Sequence, residues 1–331
     1  MNPYVTHPLL KPETIRRQDQ QLHLAASSIS ESSLIVAPEA ELSISEEVIE
    51  LTPPPELARA AEVIRQIISQ NERELRQALP FGVRYSGRKS DLVVLMNRAS
   101  HEIRLGISFE EKAPWFAVMS WAGGLLKLHH AAVLAESQGL EILQKYLRGL
   151  SSDSSKAGKR ITSDPSIRSL INSERMTIDP KGATVESLLK DLPLGSKALV
   201  FCTYRDTVDY LTHAINSDCD LRVAPFIGQA SPKGAQAATI EDFRAGELDA
   251  LICTCIGEEG IDIPAVDLVI FYEPIPSAIR DIQRRGRTGR FGTSGRVAVL
   301  MYRGGVDEGY YHAAKRKKEA MQTTLSARCS S

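Results

Sequence analysis

Apolar runs alternate with amphipathic segments through the C-terminal half of the chain. Each run is short and apolar almost throughout, which is typical of strands that are buried on both faces of a parallel sheet. The segments between the runs carry apolar residues at helical spacing. The pattern therefore predicts a three-layer α/β domain with helices on both faces of the sheet. The predicted strands are 197–203, 221–228, 249–257, 267–273 and 295–302, and the predicted helices are 205–216, 235–247, 276–286 and 306–322.

The middle of the chain lacks strand signals and shows apolar residues at helical spacing instead. Its longest segment is apolar nearly all round, which is expected for the central helix of a bundle. Gly123–Gly124 inside that segment would bend the helix or allow a close helix contact. Small polar residues at 151–160 predict an exposed loop. The predicted helical segments are 56–79, 91–107 and 113–150, within a mostly helical domain at 56–176.

The first 55 residues resist assignment to an independent domain. They predict one helix at 11–29, one strand at 32–38 and a second short strand before the prolines at 53–55. A helix and two strands cannot bury a core of their own. We therefore expect Leu34–Ala37 and Val48–Leu51 to pair with each other, or to pack on the helical domain or the sheet. The predicted domains are 1–55, 56–176 and 177–322, followed by a tail at 323–331.

The composition is that of an ordinary globular protein, with 331 residues, of which 43% are hydrophobic and 24% charged. No window approaches 18 uninterrupted apolar residues, so the sequence predicts no membrane span. The N-terminus has no charged start followed by an apolar core, which argues against a secretory signal. Five scattered cysteines match neither a disulfide framework nor a zinc site, and we predict no metal site. We expect a cytoplasmic protein.

The net charge of −1 hides an uneven distribution. Residues 1–55 carry 3 basic and 8 acidic side chains, residues 56–176 carry 18 and 13, and residues 177–322 carry 18 and 20. The helical domain is therefore the basic part of the chain. A net balance of this size does not by itself indicate nucleic-acid binding, because binding depends on a local patch. Six arginines form such a patch between positions 280 and 296.

The arginine patch contains the most informative motif in the chain. Residues 283–290 read QRRGRTGR and match Q-x-x-G-R-x-G-R, the sixth motif of the superfamily 2 helicases, through Gln283, Arg287 and Arg290. A helix that ends at Gly286 would aim the two arginines beyond the sheet edge. Fixed guanidinium groups at that place suit the charge that develops on a transferred γ-phosphate. The alternative interpretation is a solvated basic loop.

The stretch from Thr254 to Asp262 resembles the fifth motif of the same superfamily, T-x-x-G-x-E-G-x-D. Its glycines, Gly257 and Gly260, permit close approach of backbone N–H groups to a phosphate. The resemblance implies that Thr254 and Gly257 contact the nucleic-acid backbone, and that Asp262 and Gly260 lie at the nucleotide. It also implies that Glu259 helps to pair with the motif arginines. A turn-forming carboxylate is the alternative interpretation for Asp262.

Residues 200–207 and 226–231 match the fourth motif and the segment that follows it. Each match is weak alone, but the matched motifs occur along the chain in the same order as in the superfamily. The candidates for contacts to nucleic-acid phosphates in these segments are Thr203, Arg205, Gly228 and Gln229.

Residues 177–322 as a whole resemble a narrower family, the archaeal Hef helicases and the related FANCM-type branched-DNA translocases. That family carries a helical insert between two RecA-like core domains. The resemblance therefore implies that 177–322 is the second RecA-like domain and that 56–176 is the insert, which is thought to grip branched DNA. The candidate contacts in the insert are Arg84, Arg88 and Lys89, and a solvated loop is the alternative for any single one of them.

One departure from the family decides the expected function. The chain contains no G-x-x-x-x-G-K-[ST] phosphate loop and no D-E-x-H sequence. Its N-terminus resembles the opening of the first core domain, including a glutamine (Gln20 or Gln21) that reads adenine. The resemblance implies that the interior of that domain, about 100–150 residues by usual domain size, is missing between about Pro38 and Glu46. We expect no cofactor for this chain alone, and ATP with Mg²⁺ only where a first RecA-like domain completes the site.

Three hypotheses follow for the function. The first is a helicase-derived protein that binds branched or duplex DNA and does not hydrolyse ATP by itself. The second is half of a split ATP-dependent DNA helicase, in which another protein supplies the phosphate loop and Arg287 and Arg290 act across the interface. The third is a protein-interaction module or a decayed helicase. The first is favoured because the motif-bearing surface survives in full, and no membrane is expected among the partners.

Overall fold

The computed structural model describes residues 44–173, 179–218, 220–227, 235–254, 264–275, 288 and 295–329. They form a helical bundle joined to a parallel α/β domain, which confirms both predicted folding units. Within these ranges, no helix has both the length and the apolar character that crossing a bilayer requires. The helices of the bundle are α1 (Pro55–Ala78), α2 (Lys89–Leu105), α3 (Phe109–Ser137), α4 (Leu140–Ser151), α5 (Lys156–Ser163) and α6 (Pro165–Asn172).

The bundle is built around α3, its longest helix. This helix begins at a capping box, in which the Ser108 hydroxyl accepts from the Glu111 N–H and the Glu111 carboxylate accepts from the Ser108 N–H. Buried side chains occur on all sides of α3, which packs against α1 and α2, so the predicted central helix is confirmed. The segment predicted as one helix is divided, because the chain leaves helical geometry at Gln138 and Gly139 before α4 starts.

The prediction of an exposed loop at 151–160 is wrong, because α5 occupies its second half and packs into the bundle. The Ser155 hydroxyl accepts from the Gly158 N–H at 3.0 Å and caps the helix. Ala157 and Ile161 are buried against the neighbouring helices. The small polar residues that suggested a loop are therefore a helix cap and a close packing surface.

The close helix contact predicted at Gly123–Gly124 is confirmed for Gly124. A Cβ atom at this position would lie 2.6 Å from Nη2 of Arg160 in α5. The Arg160 guanidinium lies 3.6 Å from the centre of the Trp121 ring and donates to the hydroxyl and the carbonyl of Ser120 at 3.0 and 3.1 Å. The glycine therefore makes room for an arginine that clamps α5 onto α3.

The α/β domain contains one six-stranded sheet in the order β1-β6-β5-β2-β4-β3, and every neighbouring pair is parallel. Val200 and Ile270 pack with α7 and α8 on one face, and Phe201 and Phe271 pack with α9 on the other. The sheet is thus covered on both faces, as its continuously apolar strands predicted. Its elements are β1 (Ile44–Leu51), α7 (Pro180–Lys190), β2 (Ala198–Cys202), α8 (Arg205–Asp218), β3 (Val223–Phe226), α9 (Ala235–Ala245), β4 (Ala250–Thr254), β5 (Leu268–Phe271), β6 (Gly295–Tyr302) and α10 (Val306–Cys329).

The outermost strand on one side of this sheet is β1, which precedes the bundle in the chain. Its eight residues pair in register with β6, from Ile44 opposite Gly295 to Leu51 opposite Tyr302. The expectation that Val48–Leu51 packs on the sheet is therefore confirmed, whereas Leu34–Ala37 lies outside the described residues. Residues 44–51, assigned by sequence to the first 55-residue unit, are thus part of the α/β sheet. At the other end, α10 continues through most of the predicted tail.

Candidate nucleic-acid interface

Three of the candidate phosphate contacts lie together at the carboxyl edge of the sheet. Thr203 directly follows β2, Arg205 begins α8, and Thr254 ends the neighbouring strand β4, where it pairs with Cys202. Arg205 is exposed and Thr203 is half-buried. Thr254 is only 4% exposed, and its hydroxyl makes no hydrogen bond within the described part of the chain. Ligands of open parallel sheets bind at this edge.

A buried carboxylate, Glu273, holds the loop that carries Thr203. It follows β5, is 3% exposed, and accepts a hydrogen bond from the Thr203 backbone N–H. Gln138, at the end of α3, donates to the same carboxylate at 3.3 Å and accepts from the Thr207 hydroxyl at 2.6 Å. Burial raises the pKa of Glu273, and the hydrogen bonds that it accepts oppose the rise. The bundle is thereby hydrogen-bonded to the elements that carry the fourth-motif residues.

A fully buried ion pair lies beside this carboxylate. The Lys181 ammonium of α7 contacts the Asp307 carboxylate of α10 at 2.7 Å, and neither side chain is exposed to solvent. Lys181 also donates to the Ser137 carbonyl at the end of α3, at 2.7 Å, and its nitrogen lies 4.7 Å from the centre of the Tyr302 ring. Asp307 accepts a second hydrogen bond from the Tyr302 N–H at 3.0 Å. The pair therefore joins the bundle to α7, β6 and α10.

Asp179 extends the same network to two tyrosines of the sheet. It accepts from the hydroxyl of Tyr272 at 2.7 Å and from the hydroxyl of Tyr302 at 3.0 Å. It also caps α7 by accepting from the Lys181 N–H at 3.2 Å. Burial, followed by the Asp179 charge, raises the pKa of Tyr272, so this hydroxyl stays protonated and donates. The start of α7 is thus fixed to the centre of the sheet.

The bundle also contacts the fourth-motif loop from the side. Tyr204 lies between the two candidate residues of that loop, and its ring centre is 5.5 Å from that of His130 in α3. Next to it, Lys145 of α4 forms an ion pair with Asp206 of α8 at 2.6 Å. These contacts were not predicted from the sequence, and neither were those of Gln138 and Glu273. The one available signal was a carboxylate that closes the apolar run 267–273.

The basic candidates of the bundle lie in and next to the loop between α1 and α2. Arg84, Arg88 and Lys89 are all exposed. The loop is anchored by Tyr85, which is 8% exposed and donates to the Glu72 carboxylate at 2.9 Å. The structure therefore presents Arg84 and Arg88 to solvent on an anchored loop of the bundle, whereas burial lowers the pKa of Lys89 at the start of α2.

The sixth motif is represented in the described residues by Thr288 alone. Its side chain is 2% exposed and its hydroxyl donates to the Val266 carbonyl at 2.6 Å, beside a parallel bridge between the two residues. The position between the two motif arginines is thus attached to the segment that leads into β5. The remaining sequence candidates lie outside the described residues: Gln20, Gly228, Gln229, Gly257, Glu259, Gly260, Asp262, Gln283, Arg287 and Arg290.

Two families match separate parts of the chain. The family described as helicase conserved C-terminal domain matches residues 181–292. The family described as putative ATP-dependent RNA helicase, helical bundle, matches residues 89–176. The first match lies in the α/β domain and leaves out β1, β6 and α10, and the second covers most of the bundle.

Individual helicases are similar to larger parts of the chain. A putative ATP-dependent RNA helicase of Methanocaldococcus jannaschii is 33% identical over 281 residues, which cover 82% of this chain and 35% of that protein. The DEAD-box ATP-dependent RNA helicase FANCM of Arabidopsis thaliana is 29% identical over 285 residues, which cover 75% of this chain and 21% of that protein. The ATP-dependent DNA helicase mph1 of Neurospora crassa is 37% identical over 138 residues, which cover 40% of this chain and 12% of that protein. The chain thus spans about a third of the first of these relatives and less of the others.

A solved structure has the same arrangement of both folding units. The crystal structure of the Pyrococcus furiosus Hef helicase domain superposes with a TM-score of 0.67 at 30% identity, and the match covers 92% of this chain and 65% of that one. The chain therefore belongs to the Hef and FANCM-type helicases, and it carries their helical bundle and their helicase C-terminal domain.

Proposed function

We propose that this chain is a DNA-binding helicase module that grips the backbone of branched or duplex DNA and does not turn over ATP by itself. The observation that carries the proposal is the grouping of Thr203, Arg205 and Thr254 at one sheet edge, to which Gln138 and Glu273 tie the bundle. An exposed guanidinium at such an edge suits a phosphate oxygen. The basic charge of the bundle extends the same electrostatic surface.

The residues of this chain do not fit a complete ATP–Mg²⁺ site. The sequence lacks both the phosphate loop and the D-E-x-H motif that hold the triphosphate and the metal in this superfamily. The described residues contain no group of three or more His, Cys, Asp or Glu side chains that suits a metal ion. Arg287 and Arg290 would act as arginine fingers only against a nucleotide held by another domain. We therefore expect ATP hydrolysis at background level from the purified chain.

A second candidate function is half of a split ATP-dependent helicase. The intact sixth motif favours it, because its two arginines belong to a sequence motif that serves phosphoryl transfer in this superfamily, and a module that only binds DNA has no use for that chemistry. In that case a partner protein with a phosphate loop would restore ATP hydrolysis on mixing. Replacing Arg287 with alanine would then abolish the restored hydrolysis and leave DNA binding by this chain largely unchanged.

The test of the proposed function is binding to labelled forked, duplex and single-stranded DNA, with RNA of the same sequence as a comparison. We expect fluorescence anisotropy to report binding that weakens as salt rises from about 50 to 200 mM, because phosphate contacts release counterions. Arg205→Ala should reduce the slope of log affinity against log salt by about one. Arg244, in the last turn of α9, is 39% exposed and lies at the opposite end of the strands, where Lys197 before β2 donates to its carbonyl, so Arg244→Ala is the matched control. Absence of binding, or binding that salt does not weaken, would refute the proposal.

A further inference from the structure

Phe81, in the loop between α1 and α2, is the most exposed aromatic side chain among the described residues. Its relative exposure is 108%, so no part of the ring is covered by the protein. An aromatic ring of this size gains nothing for folding when it stays in water, since its stabilising contribution comes from burial. The whole ring is therefore accessible to a contact outside the folded chain.

The loop holds the backbone of Phe81 in a defined place. Val83 donates its N–H to the Pro80 carbonyl at 3.1 Å, which closes a turn around Phe81 and Gly82, and Gly82 has a φ of +78°. Four residues after Phe81, the buried Tyr85 anchors the loop to α1. Fixing the backbone that carries the ring lowers the entropy cost of a contact.

The surroundings of the ring are cationic. Arg84 and Arg88 are exposed in the same loop. Two of the carboxylates near the loop are already engaged, since Glu72 accepts from the Tyr85 hydroxyl at 2.9 Å and Asp91 accepts from the Ser86 N–H at 3.0 Å. An exposed aromatic ring in a loop that also exposes guanidinium groups is a combination that binds single-stranded nucleic acid, in which bases stack on the ring and cations contact the backbone.

The ring does not belong to a continuous apolar patch of the kind that binds a protein partner. Of the other exposed apolar side chains of the α2 region, Val94 lies in the second turn of the helix, and Leu105, Ile107 and Phe109 lie at its far end. The helix has 17 residues and is about 25 Å long at the usual helical rise, so the last three are at the end away from the loop. Phe81 is thus the one exposed aromatic ring of a basic loop with a single exposed aliphatic side chain in the adjoining turns of α2, which favours a nucleic-acid base over a protein surface.

From these observations we infer that Phe81 stacks on an unpaired base of a bound DNA strand, while Arg84 and Arg88 contact the phosphates beside it. The inference rests on the proposed function and adds to it the strand type that the bundle engages. Bases inside a duplex are already stacked on one another, so the ring has no free base face to cover there. The bundle is therefore the part of the module that detects the single-stranded arm of a branched DNA.

The test compares Phe81→Ala with a control that the chain itself provides. Leu194 is 107% exposed and lies in a turn of the same design, in which Ser196 donates to the Pro193 carbonyl at 3.0 Å and Gly195 has a φ of +85°. That turn contains no arginine. Both variants remove a fully exposed apolar side chain, so neither is expected to change the thermal unfolding midpoint.

We expect Phe81→Ala to lower the affinity for a fork with one single-stranded arm by about 5- to 150-fold, the range found when a base-stacking aromatic is truncated. Blunt duplex should lose less than twofold, and Leu194→Ala should change neither. The salt slope should stay the same in Phe81→Ala and fall by about one in Arg84→Ala. Phe81→Trp should restore fork binding.

The outcomes separate this inference from the proposed function. If the unaltered chain binds the fork and Phe81→Ala binds it equally well, the stacking role is wrong and the proposed function stands. An equal loss on the fork and on blunt duplex would also overturn the stacking role. If the unaltered chain binds no DNA, the proposed function is refuted and the inference is refuted with it.

Discussion

Replacing Lys181 with methionine removes the ammonium group from the junction between the bundle and the sheet and keeps most of the side-chain length. The variant leaves the Asp307 carboxylate buried at 0% exposure without its cation. One oxygen of Asp307 already makes no hydrogen bond within the described residues, and the other would keep only the Tyr302 N–H. The Ser137 carbonyl would lose its donor as well. The substitution therefore removes several contacts of one buried site at once.

The expected cost is about 3–5 kcal/mol in the free energy of unfolding, which is typical when one partner of a buried ion pair is removed. That is a large share of the stability of an ordinary domain, about 5–15 kcal/mol. The double variant Lys181→Met/Asp307→Leu removes both charges, so it should recover most of the loss. The double variant should thus be more stable than Lys181→Met alone. This ranking is the stronger test, because it does not depend on the exact free energy of unfolding of either variant.

Unfolding in urea, monitored by circular dichroism, measures the free energy of unfolding of both variants. Lys145→Met is the matched control, since the Lys145–Asp206 pair joins the same two folding units with side chains that are 54% and 41% exposed. Its cost should stay within about 1 kcal/mol. The reasoning fails if Lys181→Met costs no more than Lys145→Met, or if the double variant is less stable than Lys181→Met alone.

Three further substitutions test other parts of the structure by the same unfolding measurement. Burial raises the pKa of Glu273 above its usual 4.5, so the folded protein takes up this proton more readily than the unfolded chain. The unaltered protein should therefore gain stability relative to Glu273→Gln as pH falls from neutral towards 4.5. A stability difference that is independent of pH would contradict this. Because burial lowers the pKa of His129 below 6.5, the unaltered protein should lose stability relative to His129→Gln as pH falls below 6.5, and an opposite trend would refute that assignment. Gly124→Ala would displace the Arg160 guanidinium from its hydrogen bonds to Ser120. It should therefore be about 1 kcal/mol less favourable than Gly149→Ala, whose Cβ meets nothing within 4 Å, and equal effects would exclude the close contact.

The strands and most helices could be predicted because their signals are local. The run that forms β6 has the predicted bounds 295–302, since a strand covered on both faces is apolar along its whole length. The prediction of a loop at 151–160 was wrong because serine and glycine are typical of loops, of helix caps and of close helix contacts alike. The candidate residues Thr203, Arg205 and Thr254 were found because each lies in a motif with fixed spacing.

The junction that holds the site could not be predicted, because its partners are far apart in the sequence. Gln138 and Glu273 are separated by 135 positions, and Lys181 and Asp307 by 126. A single buried charge in a helix or after a strand gives no local sign of the residue that neutralises it. Only the folded chain identifies these pairs.

The position of β1 has a mechanical consequence for the bundle. Because β1 and β2 belong to one sheet and the bundle lies between them in the chain, the bundle is covalently attached to the α/β domain at both of its ends. A body held by two covalent attachments can bend about the line that joins them, but it cannot swivel as a body on a single linker can. Tension applied to the bundle by a bound strand would therefore be divided between the outermost strand of the sheet and the start of α7.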